Sequence, residues 1–404
     1  MPALARVYYG WIVVAVLSIT ETVTWGIIYY GFPVMLRPME SELGLSRAAV
    51  TGAFSVGLAL SAAAAVPVGR WIDRHGARAL MTVGSCLGTA LVVAWSQVQN
   101  LLALYVVWAL LGLVMAATLY EPAFAAVVGW FPGRHRDRAL LTVTLVAGFA
   151  STIFMPIEAW LLTWLGWRTA LLVLAAILGV LTIPLHAFAL RPPPPAGRTP
   201  ADVRHTETAV PSVTLSVATH MAVFWVLAIA FFVGNFTTNA VTVHLIPYLA
   251  DRGYSPTVAA VMIGWLGAMQ VPARVVFASI ADRFGHRAVT AMIFFGQALG
   301  LVQLALVARL PTLIPMVVIL GGANGMATLA RATMVAEIFG PRHYGSISGA
   351  IALAANGARA LAPVGAALLQ VGLGGYERLF WLLAASLVVA GLGVLLTRAE
   401  RRPV

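Results

Sequence analysis

The chain contains no lysine; all 25 of its basic residues are arginine, which fits a GC-rich bacterial genome. Charge of either sign is scarce, at 10% of 404 residues, and 61% of the residues are hydrophobic. An ordinary soluble domain is roughly a quarter charged. So much apolar surface cannot be buried in one water-soluble core, which excludes a soluble globular protein and makes the bilayer the solvent. The single cysteine, Cys86, excludes an internal disulfide and every multi-cysteine metal site. Metalloprotease, nucleophile-elbow and phosphate-loop patterns are absent, so nothing points to an enzyme, and neither cofactor nor metal is expected. A net charge of +11 raises the question of nucleic acid. The arginines, however, fall between apolar spans and read as topology signals, so no nucleic-acid partner is expected.

What the chain has in abundance is long apolar runs. Twelve helical spans, each near the ~20 residues that cross a bilayer, centre on residues 21, 58, 88, 112, 150, 178, 234, 268, 298, 323, 358 and 387. The first, Trp11 to Phe32, is long enough to remain in the membrane, against a cleavable signal peptide. With a cytoplasmic N-terminus, sixteen arginines fall inside, among them Arg6, Arg70, Arg74, Arg78, Arg198, Arg204, Arg398, Arg401 and Arg402. Six fall outside: Arg37, Arg47, Arg168, Arg252, Arg309 and Arg378. That bias predicts a multi-pass protein of the bacterial cell (inner) membrane with both termini cytoplasmic.

The chain also repeats itself. GRWIDRHGAR (69–78) recurs as ASIADRFGHR (278–287), and GLS (44–46) recurs as GYS (253–255), both at an offset of 209 residues. FPGRH (131–135) recurs as FGPRH (339–343), and GWR (166–168) has a looser echo at Gly375 to Arg378. Four matches in one order predict two homologous six-helix bundles, residues 1–190 and 216–404. The Pro-rich stretch within 191–215 is their cytoplasmic linker. Repeated bundles of this kind place substrate near the midplane, at the seam between halves.

GRWIDRHGAR resembles the G-x-x-x-D-R-x-G-x-R loop signature of the major facilitator superfamily, and the second copy keeps Asp282, Arg283, Gly285 and Arg287. With twelve spans and the duplication, the resemblance covers the whole chain. It implies an all-α membrane protein of two six-helix bundles, working by alternating access. In the signature, Gly69 and Gly76 permit a tight turn and close helix approach. Asp73 can hold a neighbouring helix end while Arg74 and its neighbours meet headgroups. These positions, with Asp282 and Arg283, are expected to serve conformational change rather than substrate choice.

Charge inside a membrane is costly, so each intramembrane ionisable residue is a functional candidate. Arg274 lies eight residues, ~12 Å, before Asp282, close to the midplane. Gln270 sits at i−4 on its face, and Pro272 removes a backbone bond nearby. Substrate contact is one reading of Arg274; snorkelling or a buried pair is the other. Arg359 lies near the midplane of the eleventh span with Asn356 at i−3 and Pro363 at i+4, as a pathway residue or a structural pair. Arg331 on the tenth span stands opposite Glu121 in the repeat, and the two form a candidate cytoplasmic gate pair. Glu21 is central in the first span, with Trp25 and Tyr29 on its face. Burial favours a protonated carboxyl, the state a proton carrier needs, although an arginine partner is the equal alternative. Asn235, Thr238, Asn239 and Thr242 form a polar stripe that suits a wet cavity wall or interhelix glue. His244, near the far end of the same span, is a second titratable candidate. GSISG (345–349) and GQALG (296–300) read as small-residue packing motifs.

YYGW near the start, an arginine with a polar residue four before it in the eighth span, and HLIPYLADRGYS resemble bacterial relatives of the monocarboxylate transporters. That resemblance implies Arg274 as binder of the substrate carboxylate, with Gln270 where the animal members carry an acid. Their first-span lysine has its counterpart near Tyr29, where this chain has none. Basic residues on the eighth and eleventh spans, here Arg274 and Arg359, are also similar to the oxalate:formate exchangers. The expectation is a monomeric secondary transporter of small organic anions, monocarboxylate-like and proton-coupled, with protons and the lipid bilayer as its other partners. The alternatives are a dicarboxylate exchanger, a cation or multidrug exporter using Glu21 and Glu121, and a transporter-like sensor. Against the exporter, AGFASTIFMPIEAW in the fifth span lacks the glycine-proline motif of drug:proton antiporters.

Overall fold

The structure, a computed structural model, describes residues 8–193, 212–306 and 313–397. Most of the expected linker lies outside these residues, as do Arg6, Arg198, Arg204, Arg309, Arg398, Arg401 and Arg402. The described residues form helices and turns without a strand. Lipid leaves no other economical choice: with no water to satisfy backbone N–H and C=O groups, each segment must satisfy its own. Among the described residues, eleven helical stretches are long and apolar enough to cross a membrane. One of them, Gly133–Ala189, has 57 residues, far beyond a bilayer's need, and it breaks at Gly166, whose φ of 73° and ψ of 164° lie outside any helix.

Large apolar side chains stand outward on these helices: Leu102 is 75% exposed, Trp164 72%, Val371 75% and Leu396 77%. In water such surfaces would aggregate; in hydrocarbon they are ordinary. The hydrophobic effect therefore does not hold helix to helix, and packing and polar contacts carry that burden.

The helices gather into two compact units. The first comprises Met1–Ser212 with Gly340–Gly349, and the second Val213–Phe339 with Ala350–Val404. The core of the first unit is aromatic. Phe32 stacks on Phe54 with ring centroids 4.6 Å apart, and Trp108 meets Phe32 and Trp95 edge-on at 4.8 and 4.9 Å. In the second unit Tyr248, Tyr376 and Phe380 form a smaller cluster, and the Tyr248 hydroxyl donates to the Leu304 carbonyl at 2.7 Å.

The internal repeat is written into the backbone. Positive-φ glycines occur in pairs at nearly one offset: Gly44 and Gly253, Gly76 and Gly285, Gly133 and Gly340, and Gly166 with Gly375. Gly76 (φ 78°, ψ 172°) and Gly285 (φ 80°, ψ 151°) end one helix and start the next without a spare residue, a conformation closed to L side chains.

Candidate functional site

In the second unit Arg274 is 9% exposed, with Nε 3.4 Å from the Gly325 carbonyl. Pro272, two residues before it, offers no N–H to the Ala268 carbonyl. The helical run is interrupted at Met269, between Pro256–Ala268 and Gln270–Phe284, so Gln270 opens the helix that carries Arg274. Gly321 and Gly325 face this break. A β-carbon on Gly321 would stand 2.6 Å from the Leu266 carbonyl, and one on Gly325 would overlap the Gln270 carbonyl. Backbone thus lies against backbone where the arginine enters.

The half-buried Gln270 side chain makes no hydrogen bond among the described residues, and the same holds for Asn356 and Arg359. Asn356 and Arg359 share one face of Tyr344–Leu373. Pro363 is four residues beyond Arg359 and offers no N–H to its carbonyl, which adds a polar backbone group to that face. Arg331 lies half-buried in the same unit.

On Ala222–Asp251 the stripe is half-buried at Asn235, Thr238 and Asn239. Asn239 donates to the Asn235 carbonyl at 2.8 Å and Asn235 to that of Phe231 at 2.9 Å, so both amide nitrogens turn back onto their own helix. Thr238 Oγ1 stands 2.7 Å from Asn324 Oδ1, which also accepts from Gln297 Nε2 at 2.7 Å. Asn324 adjoins Gly325, so this polar cluster continues to the Arg274 contact. His244 is 8% exposed and uses both ring nitrogens, at 3.1 Å from the Tyr376 hydroxyl and 3.0 Å from the Pro363 carbonyl. A carbonyl only accepts, so Nε2 carries a proton.

In the first unit Glu21 is fully buried, and Oε2 accepts from Trp25 Nε1 at 3.1 Å. Trp25–Tyr30 is a π-helical segment, a distortion frequent at functional sites. Its wider turn brings both Tyr29 and Tyr30 against Trp25, with centroids at 4.9 and 6.4 Å, and Tyr120 joins from another helix at 5.2 Å. Glu121, beside Tyr120, accepts from Ser348 Oγ at 2.7 Å. The Asp73 carboxylate accepts from two backbone amides, Gly345 N at 2.8 Å and Ser346 N at 2.9 Å. These are free N–H groups at the start of Tyr344–Leu373, where a negative charge also meets the positive end of the helix dipole. A β-carbon on Gly69 would overlap the Gly345 carbonyl, so the approach depends on glycine there. Arg74 is exposed, as are Asp282 and Arg283 in the second unit, where Arg283 lies 5.3 Å over the Phe284 ring.

The sequence matches the Major Facilitator Superfamily over residues 11–363 and, in a second overlapping match, 267–404. The chain belongs to that superfamily. It is 24% identical over 326 residues to the oxalate:formate antiporter of Oxalobacter formigenes, covering 79% of this chain and 76% of the relative. It is 25% identical over 415 residues to monocarboxylate transporter 3 of Rattus norvegicus, covering 96% of this chain and 80% of that one. The fold is that of the human organic anion transporter MFSD10, with a TM-score of 0.75 at 14% identity over 95% of this chain and 99% of that one. The relatives are transporters, and this member of the superfamily is a multi-pass membrane transporter rather than an enzyme.

Several polar groups of this major facilitator escape a reading of the sequence. Asn324 and Gln297 become partners of Thr238 only through tertiary contact, and Gln297 lies inside GQALG, which reads as packing. Ser348 reaches Glu121 from 227 residues away. Tyr30 is brought to Trp25 by the π segment, which a helical period of 3.6 does not anticipate.

Proposed function

We propose that this protein is a secondary active transporter that moves a small organic anion, monocarboxylate-like, across the bacterial cytoplasmic membrane by alternating access with proton coupling. Arg274 carries the reading. An ionisable side chain enclosed within an apolar span is a functional candidate by its cost alone, and a guanidinium fork suits the charge-assisted, bidentate binding of a substrate carboxylate. Gln270, one turn away with an uncommitted amide, and Asn239 orient the anion. Arg359 and Asn356 assist from the eleventh span, and Trp25 and Tyr29 supply an apolar wall. Glu21 is the proton site, with His244 as the second candidate. Asp73, Arg74, Gly69, Asp282 and Arg283 work the conformational change, and Glu121 with Arg331 closes the cytoplasmic side. The break of Gly133–Ala189 at Gly166 supports a reading of twelve spans in two bundles of six; an even number leaves both termini on one side, which the arginine bias assigns to the cytoplasm. The working unit is a monomer.

The names of the relatives support an anion of this class. The oxalate:formate antiporter also favours a second reading, exchange of a dicarboxylate for another anion, to which Arg359 lends a second cation with no ion pair among the described residues. Purified protein in liposomes separates the two, with labelled lactate, formate and oxalate as probes. Accumulation driven by an inward proton gradient supports symport. Uptake that ignores the gradient but requires internal oxalate replaces it with exchange. Wild-type rates in Arg274→Gln would remove Arg274 from the site.

A further inference from the structure

Glu158, on Ala150–Pro184 in the first unit, is a carboxylate for which the preceding assignment has no use. It is 0% exposed, and neither carboxyl oxygen has a hydrogen-bond partner among the described residues. Oε1 fills the recess left by Gly31, where a β-carbon would stand only 2.9 Å from it. One turn before, Phe154 seals the neighbouring recess against Gly26.

The titratable and charged groups on the elements packed against it have other partners or are exposed. On Tyr9–Leu43, Glu21 accepts from Trp25, Glu40 pairs with Arg47 and Glu42 with Arg168, while Arg37 is exposed. Tyr9 donates to the Ala189 carbonyl, and Tyr29 and Tyr30 are held among the rings around Trp25. On Ala77–Ser96, Arg78 donates to the Ala187 carbonyl, and Cys86 is exposed. His186, beyond the Gly166 break, meets Ser85 at 2.8 Å. An ionised carboxylate in this setting would have neither a donor nor a counter-charge among the described residues, a placement that favours the neutral acid.

We propose that Glu158 is a proton-binding site of the transport cycle, loaded as the carboxylic acid in this conformation. The proposal rests on the transporter reading above and gives the coupling proton a second residence besides Glu21. The release device is the π segment Trp25–Tyr30, which ends immediately before Gly31. Relaxing it to α-helix changes the register by one residue, rotating Gly31 by about 100° away from Glu158 and opening the recess to water. The O–H bond then breaks, the proton leaves to water and a hydrated carboxylate remains. Return of Gly31 requires that a proton be taken up first.

Infrared spectra of the reconstituted protein at neutral pH test the loading directly. Wild type is expected to show the carbonyl stretch of a protonated carboxyl group without hydrogen bonds, missing in Glu158→Gln. An identical spectrum in the variant overturns the proposal, whatever the protein transports. In liposomes, Glu158→Gln is expected to retain lactate–lactate exchange while losing at least tenfold of the accumulation driven by a proton gradient. Undiminished gradient-driven accumulation in the variant also overturns it. If wild type moves neither lactate, formate nor oxalate, the transport reading fails, and the infrared band still decides whether Glu158 holds a proton. Should Glu158→Gln fail to fold, Glu158→Asp, with its carboxyl drawn back from Gly31, is expected to shift the band; an unshifted band counts against the site.

Discussion

Arg168 closes on Glu42 at 2.7 Å, and its two remaining nitrogens donate to the Ser96 and Val98 carbonyls at 2.6 and 2.8 Å. Trp167 adds a bond from Nε1 to the second Glu42 oxygen at 2.5 Å and lies under the guanidinium at 4.3 Å. One repeat later Glu377, at the place of Arg168, pairs with Arg252, one residue beyond the place of Glu42, so an ion pair recurs with the charges exchanged and a shift of one residue. Arg168 also satisfies carbonyls at the end of Ala77–Ser96. Arg168→Ala is expected to cost about 2–3 kcal/mol, since the charged donor leaves those carbonyls unsatisfied. Glu42→Gln should cost under about 1 kcal/mol, as for an exposed ion pair. Exchanging the charges in the first unit (Glu42→Arg with Arg168→Glu) should restore the ion pair but not the melting temperature in detergent. Full recovery would mean that the carbonyl contacts contribute little.

The Asp73 carboxylate at the start of Tyr344–Leu373 makes a second, sharper forecast. Asn at this place keeps one acceptor but loses the charge, and its amide nitrogen opposes one of the two backbone N–H groups. Loss of a cap of this kind costs ~1 kcal/mol. Hydrogen exchange at the Gly345 and Ser346 amides should therefore quicken about five- to tenfold in Asp73→Asn. Gly69→Val adds bulk where the Gly345 carbonyl lies and should release the same two amides further. Unchanged exchange in both variants would show that the helix start is held by something else.

For Arg274 the expectation concerns geometry as well as charge. Losing a charge-assisted bond to a carboxylate costs about 1.5–3 kcal/mol, so Arg274→Gln should raise the apparent KM for a transported carboxylate about 10- to 150-fold. Arg274→Lys keeps the charge but not the planar fork and should recover only part of the loss. Gly325→Ala leaves the charge untouched, yet its methyl group would overlap the Gln270 carbonyl and push apart the helices that position Arg274. It should slow transport although no ligand atom is removed. Initial rates in liposomes decide all three, and a normal Gly325→Ala rate would detach that packing from the site.

What can be read from the chain alone follows from where the signal is local. The loop glycines, the aspartates beside them and Arg274 stand out because each contrasts with its immediate neighbours. Gly76 and Gly285 share one backbone conformation because the same short loop solves the same turn twice. Glu158 also contrasts with its apolar neighbours, eight residues before the Gly166 turn, but the approach of Gly31 from another helix is a tertiary contact that the sequence does not announce. The Thr238–Asn324–Gln297 cluster depends on contacts 86 and 27 residues apart in the chain, beyond any periodicity argument. The π segment is equally silent, since WGIIYY satisfies an α-helical pattern as well.

His244 separates a proton carrier from a structural imidazole. Its Nε2 proton is held by the Pro363 carbonyl and its Nδ1 faces the Tyr376 hydroxyl, so the ring ties three points of the second unit together. A proton on Nδ1 as well would leave both partners in place, because the tyrosine hydroxyl can turn and accept. A group whose charging leaves its partners in place is a poor trigger for a conformational step. His244→Gln, with an amide that can reproduce one of the two bonds, is therefore expected to retain dependence on the proton gradient. Its stability should fall by the value of one neutral hydrogen bond, about 0.5–1.5 kcal/mol, read as a lower melting temperature. His244→Phe leaves the Pro363 carbonyl and the Tyr376 hydroxyl without their partner and should lose about twice as much. Uptake by His244→Gln that no longer responds to the gradient, with a wild-type melting temperature, would reverse the assignment and make His244 a proton carrier.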